Sequence, residues 1–172
     1  MVSRPLPLAT RLLLGGIAGC VATLPMPATI RAIHRRLPSH ERYPATPREL
    51  IVSTAEAVGA RLSEEPARDL TLVAHYAYGA AAGALIAAAL PRPSLPAGAA
   101  AGTAVWAASY LGLIPAAGLL KPAIEHPARR NAMMIAAHFV WGAALAATLR
   151  ELQAERETII AGGPDKDVPT AR

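Results

Sequence analysis

The chain has 172 residues, 53% of them hydrophobic, 17% charged and 4% aromatic, with a formal net charge of +5. The length suits one domain, and the apolar content excludes a disordered chain. A single cysteine, Cys20, excludes a disulfide framework. The pI of about 10.0 suggests nucleic acid, but the basic residues gather into no single face, which speaks against that partner.

About a quarter of the chain, 40 residues, is alanine, and the charges are clustered. Four windows lack Asp, Glu, Lys and Arg: Leu12–Ile30, Leu70–Leu90, Leu95–Leu120 and Asn131–Leu149. Each approaches or exceeds the ~20 residues that cross a hydrocarbon core. A soluble helix needs a charged outer face, and none of the four has one. Alanine's high helix propensity makes the windows helical. The expectation is an all-α bundle of four transmembrane helices, residues 1–160, embedded in a lipid bilayer.

The first window carries Gly15 and Gly19 at a four-residue spacing, then Pro25 and Pro27, which interrupt its end. Ile17-Ala18-Gly19-Cys20 matches a lipoprotein cleavage box with Arg4 and Arg11 before it. Only eight residues separate Arg11 from Cys20, and the chain stays apolar over Val21–Met26, so the segment reads as a packing face with Cys20 as a small buried residue. The charged stretch Arg31–Asp69 holds seven Arg and six acidic residues. Within it Thr46-Pro47-Arg48-Glu49 reads as a helix start, with Thr46 as N-cap and Glu49 at N3. An amphipathic helix over 47–62 follows, with Leu50, Ile51, Thr54, Val58 and Leu62 on one face. It lies either on the membrane interface or against the end of the bundle.

The second window opens after Asp69 and is closed by Pro91. Pro96 suits the first turn of the third, and Pro115 should kink or end it. Gly98, Gly102 and Ser109 form a small-residue stripe there, and Trp106 and Tyr110 pair at i,i+4. Lys121, Glu125, His126, Arg129 and Arg130 read as a solvated face, with Glu125 and His126 a weak alternative for a metal. Asn131 can cap the fourth helix, which continues as a polar extension to about Ile160. The tail 161–172 reads as disordered. Basic residues number seven on the side of the termini and ten on the other, which leans toward a cytoplasmic Arg31–Asp69 loop.

Helices two and four share a phrase: Ala74-His75-Tyr76-Ala77-Tyr78-Gly79-Ala80-Ala81 and Ala137-His138-Phe139-Val140-Trp141-Gly142-Ala143-Ala144. Gly15-x3-Gly19 and Gly98-x3-Gly102 open the two halves, which therefore read as one helical hairpin used twice, in parallel. Gly15, Gly19, Gly79, Gly83, Gly98, Gly102 and Gly142 are the helix-packing positions, and small faces of this kind also favour a homo-oligomer. His75 and His138 are the intramembrane polar or ligand candidates, with Tyr78, Trp106, Tyr110 and Trp141 as pocket-lining candidates. Three readings of the His pair stand: packing through hydrogen bonds, a proton or transport path, and bis-His ligation of haem b. Otherwise no cofactor and no metal is expected. No G-x-S-x-G, Walker, H-E-x-x-H or dinucleotide motif occurs, so the chain reads as non-enzymatic.

The run Gly98–Leu152 resembles the C-terminal half of the YagU-like bacterial inner-membrane proteins. The similar elements are Ile114-Pro115-Ala116-Ala117-Gly118-Leu119, Ala137-His138-Phe139-Val140-Trp141 and Leu149-Arg150-Glu151-Leu152, with Val73-Ala74-His75 and Gly15-Gly16-Ile17-Ala18-Gly19 earlier. Arg31–Asp69 lacks the Trp-containing stretch of that family. The resemblance implies a small multi-pass inner-membrane protein, in an envelope or stress setting, and supplies no catalytic residues.

Overall fold

The computed structural model describes residues 6–42 and 46–160. Those residues are helical or loop, with no strand among them. The elements are α1 (Leu8–Ala22), α2 (Pro25–His34), α3 (Thr46–Ala57), α4 (Glu64–Ala89), α5 (Leu95–Ala107), a π-helical segment (Ala108–Leu113) continued by the single turn α6 (Ile114–Ala116), and α7 (Ala128–Thr158). Four helical stretches are long and apolar enough to cross a membrane: Leu8–His34, Glu64–Ala89, Leu95–Ala116 and Ala128–Thr158. The chain is an all-α, multi-pass membrane bundle by that measure.

Small residues fill much of the interior, and many large apolar side chains face outward. Ala18, Ala22, Ala82, Ala87, Ala137 and Ala146 are buried, while Leu13, Leu24, Leu72, Val73, Leu85, Leu113 and Phe139 are exposed. Water would drive the large groups inward. A bilayer removes that drive and leaves close backbone packing to hold the helices together.

Glycine sets the crossings. α1 packs on α4 and on α7, and α5 packs on α7. A Cβ at Gly15 would collide with the Gly83 carbonyl and the Ala87 side chain, and one at Gly19 with the Gly79 carbonyl. Gly98 and Gly102 meet Gly142, Ala146 and the His138 carbonyl in the same way. Gly19 thus faces Gly79 and Gly83 as Gly98 faces Gly142 and Ala146. When the shared phrase is superposed, the pairing of Gly15-x3-Gly19 with Gly98-x3-Gly102 read from sequence is offset by one turn. All seven predicted packing glycines are used within the chain.

The helices run past the uncharged windows, because charges are tolerated at the ends. α4 starts at Glu64 with Ser63 as N-cap residue, not after Asp69. α7 starts at Ala128, so Asn131 lies inside the first turns and does not cap; its Nδ2 donates to the Ala123 carbonyl at 2.6 Å. The Thr23–Leu24 break separates α1 from α2, and Pro25 begins α2 as N1, where its missing N–H costs nothing. Ser94 Oγ accepts from Ala97 N–H to start α5.

The third span ends at Ala116, short of Leu120. Gly118, with φ +69°, closes it: its N–H donates to the Pro115 carbonyl and Leu119 N–H to the Ile114 carbonyl. Pro115 has no N–H for the turn before it, and that turn opens into the π segment. α3 ends at Ala57 by the same device, with Gly59 at φ +76°, so Val58 and Leu62 fall off the predicted amphipathic face. α3 packs on α4. The side chain of Thr46 and the whole predicted tail 161–172 lie outside the described residues.

Candidate ligand cavity

His75 lies eleven residues after Glu64 and His138 ten after Ala128, about 15–17 Å along each helix. Both line one cavity of about 290 Å³. α4 contributes Thr71, Ala74, His75, Tyr78 and Gly79, and α7 contributes Met134, His138 and Trp141. Val105, Ser109, Tyr110, Leu113 and Ile114 come from the third span, and Thr23, Met26 and Ile30 from the first. Pro47, Leu50 and Ile51 of α3 cover one end.

The other end is closed. The lining stops at Thr23, Gly79, Val105 and Trp141. Beyond them the glycine crossings and the fully buried Leu145, Ala146 and Leu149 fill the bundle. Trp141 forms this floor: its Nε1–H lies 3.3 Å from both the Gly19 carbonyl and Thr23 Oγ1, and Thr23 itself donates to the Gly19 carbonyl at 2.9 Å.

Most polar groups in the lining are satisfied by one another. Ser109 Oγ donates to the Val105 carbonyl at 2.8 Å, which leaves it to accept the Tyr78 hydroxyl at 2.6 Å. Thr71 donates to the Ala67 carbonyl. The imidazoles differ. His138 Nδ1 is 2.8 Å from the Met134 carbonyl, which can only accept. Nδ1 therefore carries the proton of the neutral ring, and Nε2 presents a lone pair. Tyr110 stands edge-on to His138 with ring centroids 6.1 Å apart. The His75 ring meets Tyr76 edge-on and makes no hydrogen bond among the described residues.

The sequence marks His75, His138, Tyr78, Tyr110 and Trp141 as candidates, and the structure brings all five into one lining. Trp106 is the exception. It stacks on Tyr110 but points into a second core with Leu37, Ala123, Met133 and Met134, outside the cavity lining. Helical spacing puts Ser109 in the stripe with Gly98 and Gly102; the π segment turns it toward Tyr78. The first aromatic of the repeated phrase sits outside the lining, and Phe139 is exposed.

Arg130 also departs from the expected solvated face. It is 6% exposed, donates to Glu49 Oε2 at 3.0 Å and to His126 Nδ1 at 2.8 Å, and so ties α7 to the helix over the cavity. Arg48 pairs with Glu64 on the surface, holding α3 to α4. Lys121 and Glu125 pair at 3.8 Å and are exposed, as expected. Among the described residues no three His, Cys, Asp or Glu side chains converge. No family model, curated protein or solved structure matches the chain.

Proposed function

We propose that this protein is a non-enzymatic, multi-pass component of the bacterial inner membrane that binds a small molecule in this cavity, with His75 and His138 as the polar anchors. The observation that carries the reading is that two imidazoles from separate spans line one cavity with a closed floor. A closed floor favours a binding site over a continuous proton path. Packing alone accounts less well for two rings that face an unfilled volume. The YagU-like resemblance supplies the inner-membrane placement and the envelope or stress setting. The matching places of His75 and His138, Gly79 and Gly142, and Tyr78 and Trp141 support the two hairpins as one duplicated unit.

Haem b fits less well. A cavity of ~150 Å³ holds benzene, so about 290 Å³ has room for one substituted ring and not for a macrocycle. The glycine faces are occupied inside the chain, which leaves the expected homo-oligomer without its carrying observation.

Thiol accessibility tests the proposal. In a Cys20→Ala background, the thiol introduced by Ala74→Cys should react with methyl methanethiosulfonate in the folded protein, and that from Ala146→Cys, beyond the floor, should not. Reaction at both positions would indicate a through-path, and reaction at neither would remove the cavity.

A further inference from the structure

The chemistry of the lining narrows the ligand, on the premise that the cavity is a binding site. None of its described residues carries a formal charge. A charged ligand buried there would lose its hydration with no charged partner to offset the loss, so the ligand is neutral. The hydroxyls of Ser109, Thr71 and Thr23 already donate to carbonyls, and that of Tyr78 donates to Ser109. Two groups are left waiting: the lone pair at Nε2 of His138 and, in the same lining, the His75 ring, which presents one N–H and one lone pair. A hydroxyl on the ligand answers both, since it supplies the hydrogen that the His138 lone pair needs and an oxygen that accepts from an imidazole N–H, whereas a carbonyl can only accept. The remaining surface is apolar and aromatic, with Tyr78, Tyr110 and Trp141, and its volume suits one substituted ring.

The route in is also visible. Tyr78 and Leu113 line the cavity and yet are 48% and 68% exposed. At that place the cavity lining reaches the outer surface of the bundle. The Tyr78–Ser109 bond lies there, joining α4 to the π segment.

We infer that the cavity receives the ring of a neutral phenol or hydroquinone with an apolar tail, entering from the lipid beside the Tyr78–Ser109 bridge and donating its hydroxyl to His138 Nε2. The tail stays among the exposed apolar side chains of α4 and the third span, and the ring takes the edge-on and stacked contacts that the aromatic lining offers. A site built around a hydroxyl discriminates strongly against an analogue that lacks it, because its own acceptor is then left unpaired.

The test is protection of the thiol introduced by Ala74→Cys, in full-length Cys20→Ala protein, by three probes of matched size: 4-hexylphenol, 4-hexylanisole and 4-hexylcyclohexanol. The phenol should slow labelling at a concentration at least tenfold below the other two. His138→Phe should abolish that preference, and His138→Gln, which keeps an acceptor, should retain it. Unprotected labelling at the wild-type rate verifies that each variant is folded. Equal protection by phenol and anisole overturns the donor assignment, and equal protection by phenol and cyclohexanol overturns the aromatic one. Labelling that no probe slows overturns the ligand class while the cavity reading stands. Absence of labelling in every variant removes the cavity itself.

Discussion

Gly16 and Gly19 sit about one turn apart on α1 and meet different neighbours. A methyl at Gly19 would strike the Gly79 carbonyl, whereas one at Gly16 would find the Ala80 carbonyl at 3.8 Å, an ordinary contact. Gly19→Ala should therefore destabilise the bundle by about 1–3 kcal/mol through overpacking. Gly16→Ala should stabilise it by up to about 1 kcal/mol, since it only restricts the unfolded chain. Thermal unfolding in detergent reads both, and equal midpoints would contradict the crossing. The spacing of these glycines was legible in the sequence because small residues at i,i+4 have one common use in a membrane. Their register was not, since a helix of Ala and Gly slides by a turn without changing its pattern. Helical spacing places Ser109 by an α period, which the π segment from Ala108 breaks, whereas Trp106 lies before that segment and packs in a core beside Tyr110.

Two elements shape the cavity. Pro115 withholds an N–H, and the turn before it widens, aiming Ser109 at Tyr78. The Tyr78→Phe/Ser109→Ala double-mutant cycle should give a coupling of about 1 kcal/mol. In a Pro115→Ala background, where an α turn can form, the coupling should vanish; an unchanged coupling would free the π segment from the proline. The second element is α3. Its Glu49 meets the buried Arg130, while its Arg48 meets the exposed Glu64. The Arg48–Glu64 pair should contribute less than about 1 kcal/mol. Removing one partner of the buried pair should cost several kcal/mol. Arg130→Met should accordingly speed amide exchange across residues 46–57, and Arg48→Met should leave it nearly unchanged. Comparable exchange in the two variants would contradict α3 as a tethered cover. The sequence marked the start of α3 through Thr46-Pro47-Arg48-Glu49. Its end was obscured because the apolar residues Val58 and Leu62 continue the helical spacing past the Gly59 cap. Nothing local links Glu49 to Arg130, which lies 81 residues away.

For the whole molecule, charge position carried the architecture: the four uncharged windows correspond to the four apolar helical stretches, and their errors are confined to the ends, where charges snorkel and the lipid constraint fades. The three-residue bias in basic residues leans toward a cytoplasmic loop between the first two spans. A reporter inserted within residues 59–63 should therefore signal the cytoplasm, and one fused after residue 160 the opposite side. The same side for both would contradict four crossings. The cavity was only half legible, because the repeated phrase marked His75 and His138 but not the volume between their helices. The sharpest test of that shared volume is a chemical bridge. His75→Cys and His138→Cys are combined in the Cys20→Ala background and treated with short bis-methanethiosulfonate linkers. The expected result is an intramolecular link that joins α4 to α7 after the chain is cut between them. Links that form only between separate molecules, or none at all, would show that the two positions do not share a cavity.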